Sequence, residues 1–220
     1  MGAEERKQLE KEIKRKDIID AAEKVFFANG YENSSMDAVA KKAEFSKRTV
    51  YVYFNSKEQI YFEIMIRGYR KLLKMMEEGF EKEKPAGALE ELRCIFYTLF
   101  SFRDKYEDYF KAIMEYEAKD EGNQAGVSGD SKEECYRLGE EVLFYLTEAL
   151  KKGKNDGSLK SDMDCKKTAL ILWAFTVGAF HAGGRKKEYL ENYHHISVEE
   201  FLEECFQLLL GLVTVKESRV

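Results

Sequence analysis

Proline is almost missing from this chain of 220 residues: Pro85 is the only one, and glycine occurs only 15 times. So few helix breakers in so long a chain exclude a turn-rich β-sandwich or barrel and point to an all-α fold. Paired cysteines are missing too. Cys94, Cys135, Cys165 and Cys205 stand far apart with no CxxC pair, which predicts reduced thiols in a cytoplasmic protein rather than a disulfide framework or a zinc site. The first residues, "MGAEERKQLEKEIKRK", carry charge throughout and lack the apolar core of a signal peptide. The longest stretch free of Lys, Arg, Asp and Glu runs from Thr168 to Gly184. It lies at the short edge of what spans a bilayer and includes Thr176, Gly178 and His181, so it reads as a buried or interface helix and no membrane partner is expected. Also absent are a nucleophile elbow, a Walker loop and a dinucleotide fingerprint, and His194-His195 has no carboxylate or cysteine pattern beside it. No enzyme, metal or cofactor is therefore expected.

What is present is helical periodicity and an uneven charge. Residues 1–57 carry 12 basic and 10 acidic side chains against 24 and 31 in residues 58–220. A cationic head on an acidic body suggests that only the head meets a polyanion. Ile18, Ala22, Val25 and Phe26 keep the spacing of an amphipathic helix ending at "ANGY", with Gly30 suited to a left-handed cap. Ser34 with Asp37 three residues on reads as a capping box for a short helix that turns Met36, Val39, Ala40 and Ala43 inward. After the break "EFS", Ser46 caps "KRTVYVYF". Ser56 with Gln59 starts a long helix at Lys57 that keeps its spacing to about residue 79.

Beyond Pro85, helices are expected near 87–103, 105–120 and 132–152, with a polar loop at 120–131. Ser161 and Asp164 box the apolar helix that ends near Gly183-Gly184, and Ser197 and Glu200 box the last one.

Two short helices, 35–43 and 47–54, with a tight break between them form a helix-turn-helix pattern, whose second helix enters the major groove of DNA. Lys47 and Arg48 then sit where side chains reach guanine N7 and O6. Thr49 offers a hydroxyl and a methyl, Tyr51 and Tyr53 donate to phosphates, and Val50 and Phe54 point to the core. Lys57, at a helix start, reads as a phosphate clamp, and Ser34 and Ser35 open the preceding helix in the same way. With Met36, Ser46 and Val52 these complete the expected DNA-binding set.

The segment "IIDAAEKVFFANGYENSSMDAVAKKAEFSKRTVYVYFNSKEQIY" resembles the DNA-binding domain of the TetR family of bacterial transcriptional regulators. The resemblance rests on Ala21-Ala22, Phe26, Gly30-Tyr31, Ser34-Ser35, Val39-Ala40, Ser46, Tyr51, Tyr53-Phe54 and Ser56-Lys57-Glu58. Two positions depart from the pattern. The turn reads Ala43-Glu44-Phe45-Ser46 without its usual glycine, and Arg48 replaces a small residue. The resemblance implies a DNA-binding domain over 1–57 and a helical ligand-binding and dimerisation domain over 58–220. It also implies a homodimer built through the last two long helices, with operator DNA and a small-molecule effector as partners. A ligand-responsive repressor released from a palindromic operator by an apolar or aromatic molecule is the expected function; a helical protein–protein adaptor is the alternative. Candidate ligand contacts are Phe96, Tyr97, Phe100, Tyr109, Ile113, Tyr116, Trp173, Val177 and His181, because aromatic side chains between helices line ligand cavities.

Overall fold

The computed structural model describes residues 2–117 and 130–215. Ten α-helices follow in order: α1 Ala3–Asn29, α2 Met36–Lys42, α3 Lys47–Tyr53, α4 Lys57–Glu83, α5 Ala88–Lys105, α6 Glu107–Glu117, α7 Asp130–Asp156, α8 Cys165–Arg185, α9 Lys187–Tyr193 and α10 Val198–Val213. No strand occurs among the described residues; the one bridge pairs Leu159 with Thr214. The fold is all-α, as expected. Most of the polar stretch 120–131 lies outside the described residues, and its last two members open α7.

Two compact units divide the described chain, Met1–Tyr69 with Asp120–Arg137, and Arg70–Lys119 with Leu138–Val220. The boundary expected after residue 57 falls at the first residue of α4; the compact division comes at residue 69, inside that helix. At 27 residues, α4 is about 40 Å long.

In the first unit α1 packs on α2 and α2 on α3. Ile18, Ala22, Phe26, Val39, Val50, Phe54 and Ile60 form its core, each almost fully buried. Ion pairs fasten α1 to α4. Arg67 Nη1 donates to Asp20 at 2.6 Å and to Glu23 at 2.9 Å. Arg15 meets both oxygens of Glu63, at 2.6 and 3.0 Å, while its guanidinium lies 5.0 Å from the centre of the Phe54 ring. Glu63 also accepts a hydrogen bond from the buried Ser131 hydroxyl in the first turn of α7.

The first turns of α1 differ from expectation. Apolar spacing predicts a helix only from Ile18, yet α1 begins fifteen residues earlier, at Ala3. Its added turns carry no buried residue; strong helix formers, side-chain pairs such as Gln8 to Glu12 and the Arg15–Glu63 ion pair hold them. Gly30 ends α1 with a positive φ of 77°, but its ψ of 155° is extended rather than left-handed helical. Glycine is still what the position needs, since that region is closed to side chains.

In the second unit α5 packs on α6, α6 on α8, and α8 on α10. Ile95, Phe96, Leu99, Phe102, Ile113, Leu150 and Phe206 are among its buried residues. Ser197 caps α10 in a full capping box with Glu200, as expected. Asp164, not Ser161, caps α8, accepting from Lys167 N at 3.1 Å. The short α9 was not expected; none of its residues is buried, so it leaves no apolar period to read.

Both α8 and α10 carry an apolar row opposite their buried faces. On α8 it comprises Leu170, Ile171 and Phe175, and on α10 Leu208 and Leu212; each is at least 47% exposed. No helix among the described residues is long and apolar enough to cross a membrane.

Candidate nucleic-acid interface and effector cleft

α3 is seven residues long and held by its ends and one face. Ser46 caps it, its hydroxyl accepting from Thr49 N at 3.0 Å and lying 2.8 Å from Thr49 Oγ1. Val50, and Phe54 four residues on, are fully buried. That anchorage turns Lys47, Arg48, Tyr51 and Val52 outward; Val52 is 73% exposed although apolar. Arg48 has no hydrogen-bond or ion-pair partner among the described residues. Lys47 is paired instead, its ammonium 2.7 Å from Asp37 at the start of α2. Tyr53 is half-buried beside the core.

The turn before α3 is a Schellman motif. Phe45 N donates to Ala40 O at 3.0 Å and Glu44 N to Lys41 O at 3.3 Å. Such a turn needs one residue with positive φ, and here that residue is Glu44 at 59°. The glycine absent from the sequence is thus absent at the one position that calls for it. A β-carbon there costs about 1–2 kcal/mol. Glu44→Gly is expected to raise stability by about 1 kcal/mol, part of the relief being offset by the freer unfolded chain. A thermal melt read by circular dichroism checks this, the midpoint rising about 2–4 °C.

Three expected contacts take other roles. Ser34 is buried, and its hydroxyl donates to Gly30 O at 2.7 Å, so it locks the loop after α1. The cap of α2 is Ser35, which accepts from Ala38 N at 3.2 Å. Met36 is buried in the core. Lys57 is not a free clamp: its ammonium donates to the carbonyls of Tyr31 at 2.7 Å, Ser34 at 3.0 Å and Glu32 at 3.5 Å. It also lies 4.1 Å from the centre of the Tyr31 ring. All three of its donors serve the loop between α1 and α2. Burial, with Glu58 and Glu32 nearby, pushes the Tyr31 phenol up to about 12. Ser56 caps α4 as expected, accepting from Gln59 N at 3.1 Å, while the Gln59 side chain accepts from Asn55 N, one residue earlier than a capping box would have it.

The expected ligand residues do not converge on one cavity. Phe96 and Trp173 line a small apolar cleft of about 30 Å³ with Leu92, Ile95, Leu172 and Phe206. Phe96 fills much of it by stacking on Phe206, centroids 4.0 Å apart. His181 lines a second cleft of about 270 Å³ with Phe110, Phe180 and Arg185. Tyr97 is exposed, and its hydroxyl donates to Glu203 at 3.1 Å. Phe100 is half-buried against Phe180 and Arg103. Tyr109 lies under Lys71, Ile113 is core, and Tyr116 and Val177 are half-buried; none of these four lines either cleft. No disulfide joins the cysteines. Burial raises the Cys94 and Cys205 thiols above their ordinary values, which disfavours the reactive thiolate.

Residues 18–64 match the model of the bacterial regulatory proteins of the tetR family. An uncharacterized HTH-type transcriptional regulator of Bacillus subtilis, YhgD, is 26% identical over 159 residues, 72% of this chain and 78% of the relative. The fatty acid metabolism regulator protein of the same organism is 37% identical over 92 residues, 42% and 46% of the two chains. Among solved structures, AibR in complex with isovaleryl coenzyme A and operator DNA shares the fold with a TM-score of 0.62 at 16% identity, over 90% of this chain and 98% of that one. The capped α3, its buried Val50 and Phe54, and the turn at Glu44 all fall inside the matched segment. Residues 18–64 are therefore a helix-turn-helix segment of the tetR-family type, and the rest of the described chain is a helical C-terminal part whose fold the solved structures share.

Proposed function

We propose that the protein is a homodimeric repressor that reads a palindromic operator with α3 and leaves it when a molecule with an apolar body enters the C-terminal helices. The observation that carries the DNA reading is the outward row of Arg48, Tyr51 and Val52, held on a helix whose other face is locked by Val50 and Phe54. A guanidinium without a protein partner is available to guanine O6 and N7 in the major groove, and an exposed Val suits a thymine methyl. Dimerisation is supported by the exposed apolar rows of α8 and α10, which a two-fold mate would cover.

The effector class rests on the apolar cleft at Phe96 and Phe206, and on relatives whose names carry fatty acid metabolism and an acyl coenzyme A. The cleft is small, and an apolar body entering it would press on the Phe96–Phe206 ring stack. Binding there changes the packing of α5 against α10, which is the differential contact that coupling requires.

Arg48→Ala is the test of the recognition helix. On DNA selected by the wild-type protein it is expected to lower affinity by about 1–3 kcal/mol and to relax preference at one position per half-site. Unchanged affinity and unchanged preference would remove α3 from base recognition.

A further inference from the structure

Lys47 stands in the first turn of α3, beside the unpartnered Arg48, yet its ammonium is held 2.7 Å from Asp37 Oδ1 across the turn between α2 and α3. Both side chains are exposed, so water screens the pair and it opens readily. Two opposite charges this close nearly cancel at the distance of a passing phosphate. Sequence-independent attraction to DNA grows with the number of phosphates that free cations neutralise. A lysine bonded to a carboxylate adds little to that count, while the open pair frees its amine for a partner placed to replace Asp37. Arg48, Lys41 and Lys42 have no ion-pair partner among the described residues and carry no such restraint.

We propose that Asp37 is a specificity-determining residue: by pairing with Lys47 it suppresses binding to non-specific DNA and keeps the amine at the head of the recognition helix for the operator alone. The proposal rests on the reading of α3 as the DNA-binding helix. Asp37 also sits in the first turn of α2, where a carboxylate favours the helix dipole. A role confined to that helix would move the melting temperature but not the dependence of DNA binding on salt.

The test is a fluorescence-anisotropy titration of the full chain with a 30-bp duplex of random sequence over a series of potassium chloride concentrations. Asp37→Asn is expected to bind roughly five- to tenfold more tightly at 0.1 M salt, with a log–log slope steeper by about 0.9 per subunit. Lys47→Gln alone is expected to change affinity by less than about twofold, and Asp37→Asn with Lys47→Gln to return to the wild-type curve. Wild-type affinity and slope in Asp37→Asn would overturn the proposal. So would a gain that survives in the double variant, because Asp37 would then act without Lys47. A wild-type chain that binds no duplex at any salt overturns the DNA-binding reading, and this proposal with it.

Discussion

Lys57→Ala is expected to lower the thermal midpoint by about 6–12 °C, a loss of about 3 kcal/mol in a chain of this length. The ammonium gathers three carbonyls from residues 31–34 and lies against the Tyr31 ring. Removing it leaves partly buried acceptors without a donor, and bonds to a charged group contribute about 1.5–3 kcal/mol each before water repairs the exposed ones. The loop it holds also carries Ser34, whose hydroxyl ties back to Gly30, so the damage reaches the start of α2. At a temperature where the variant remains folded, the salt dependence of DNA binding should match the wild type. A phosphate clamp behaves in the opposite way, with an unchanged melt and a slope reduced by about one unit per subunit. The two readouts together separate a loop fastener from a DNA contact.

Phe175→Glu is expected to yield a folded monomer whose affinity for a two-half-site operator falls by about 10²- to 10⁴-fold. Phe175 is exposed in the protomer, so the substitution costs the isolated chain little. Against a two-fold mate the same carboxylate would be buried without a partner, and an unpaired buried charge is strongly destabilising. Leu212→Glu should behave alike. The avidity is then gone: one α3 binds a half-site alone, and the second no longer follows intramolecularly. Light scattering at micromolar concentration and operator titration check the pair of effects. A wild-type monomer, or a Phe175→Glu dimer, would contradict the interface.

The features legible in the sequence are those set by near neighbours. Ser46, Ser56 and Ser197 cap their helices because a hydroxyl needs only the amide three residues on. Val50 and Phe54 are inward because helical spacing puts them on one face. Lys57 illustrates the opposite case. A lysine at a helix start suits a phosphate and a loop carbonyl equally well, and the choice was made by residues 23 to 26 positions away. The spacing of Ser34 and Asp37 predicts a capping box, but the partner of Asp37 lies on the next helix, beyond reach of a local rule. The aromatic residues between 94 and 116 do not gather round one cleft, for a related reason. Periodicity shows that Phe96, Tyr97 and Phe100 lie on a helix; it does not show that Phe206 fills the space beside Phe96 while Tyr97 turns outward to Glu203. The turn at Glu44 stands between these cases: the missing glycine was visible, and the Schellman bonds explain why glycine is usual there.

The most direct measurement of the central claim is selection of DNA from a random pool by the purified full-length protein, followed by sequencing of the bound fragments. The account predicts an enriched inverted repeat whose half-site centres are one helical turn or a multiple apart, about 10–10.5 bp per turn. It also predicts a guanine in each half-site whose enrichment disappears with Arg48→Ala. Fragments with no shared sequence, or a shared sequence that Arg48→Ala selects equally well, would contradict it.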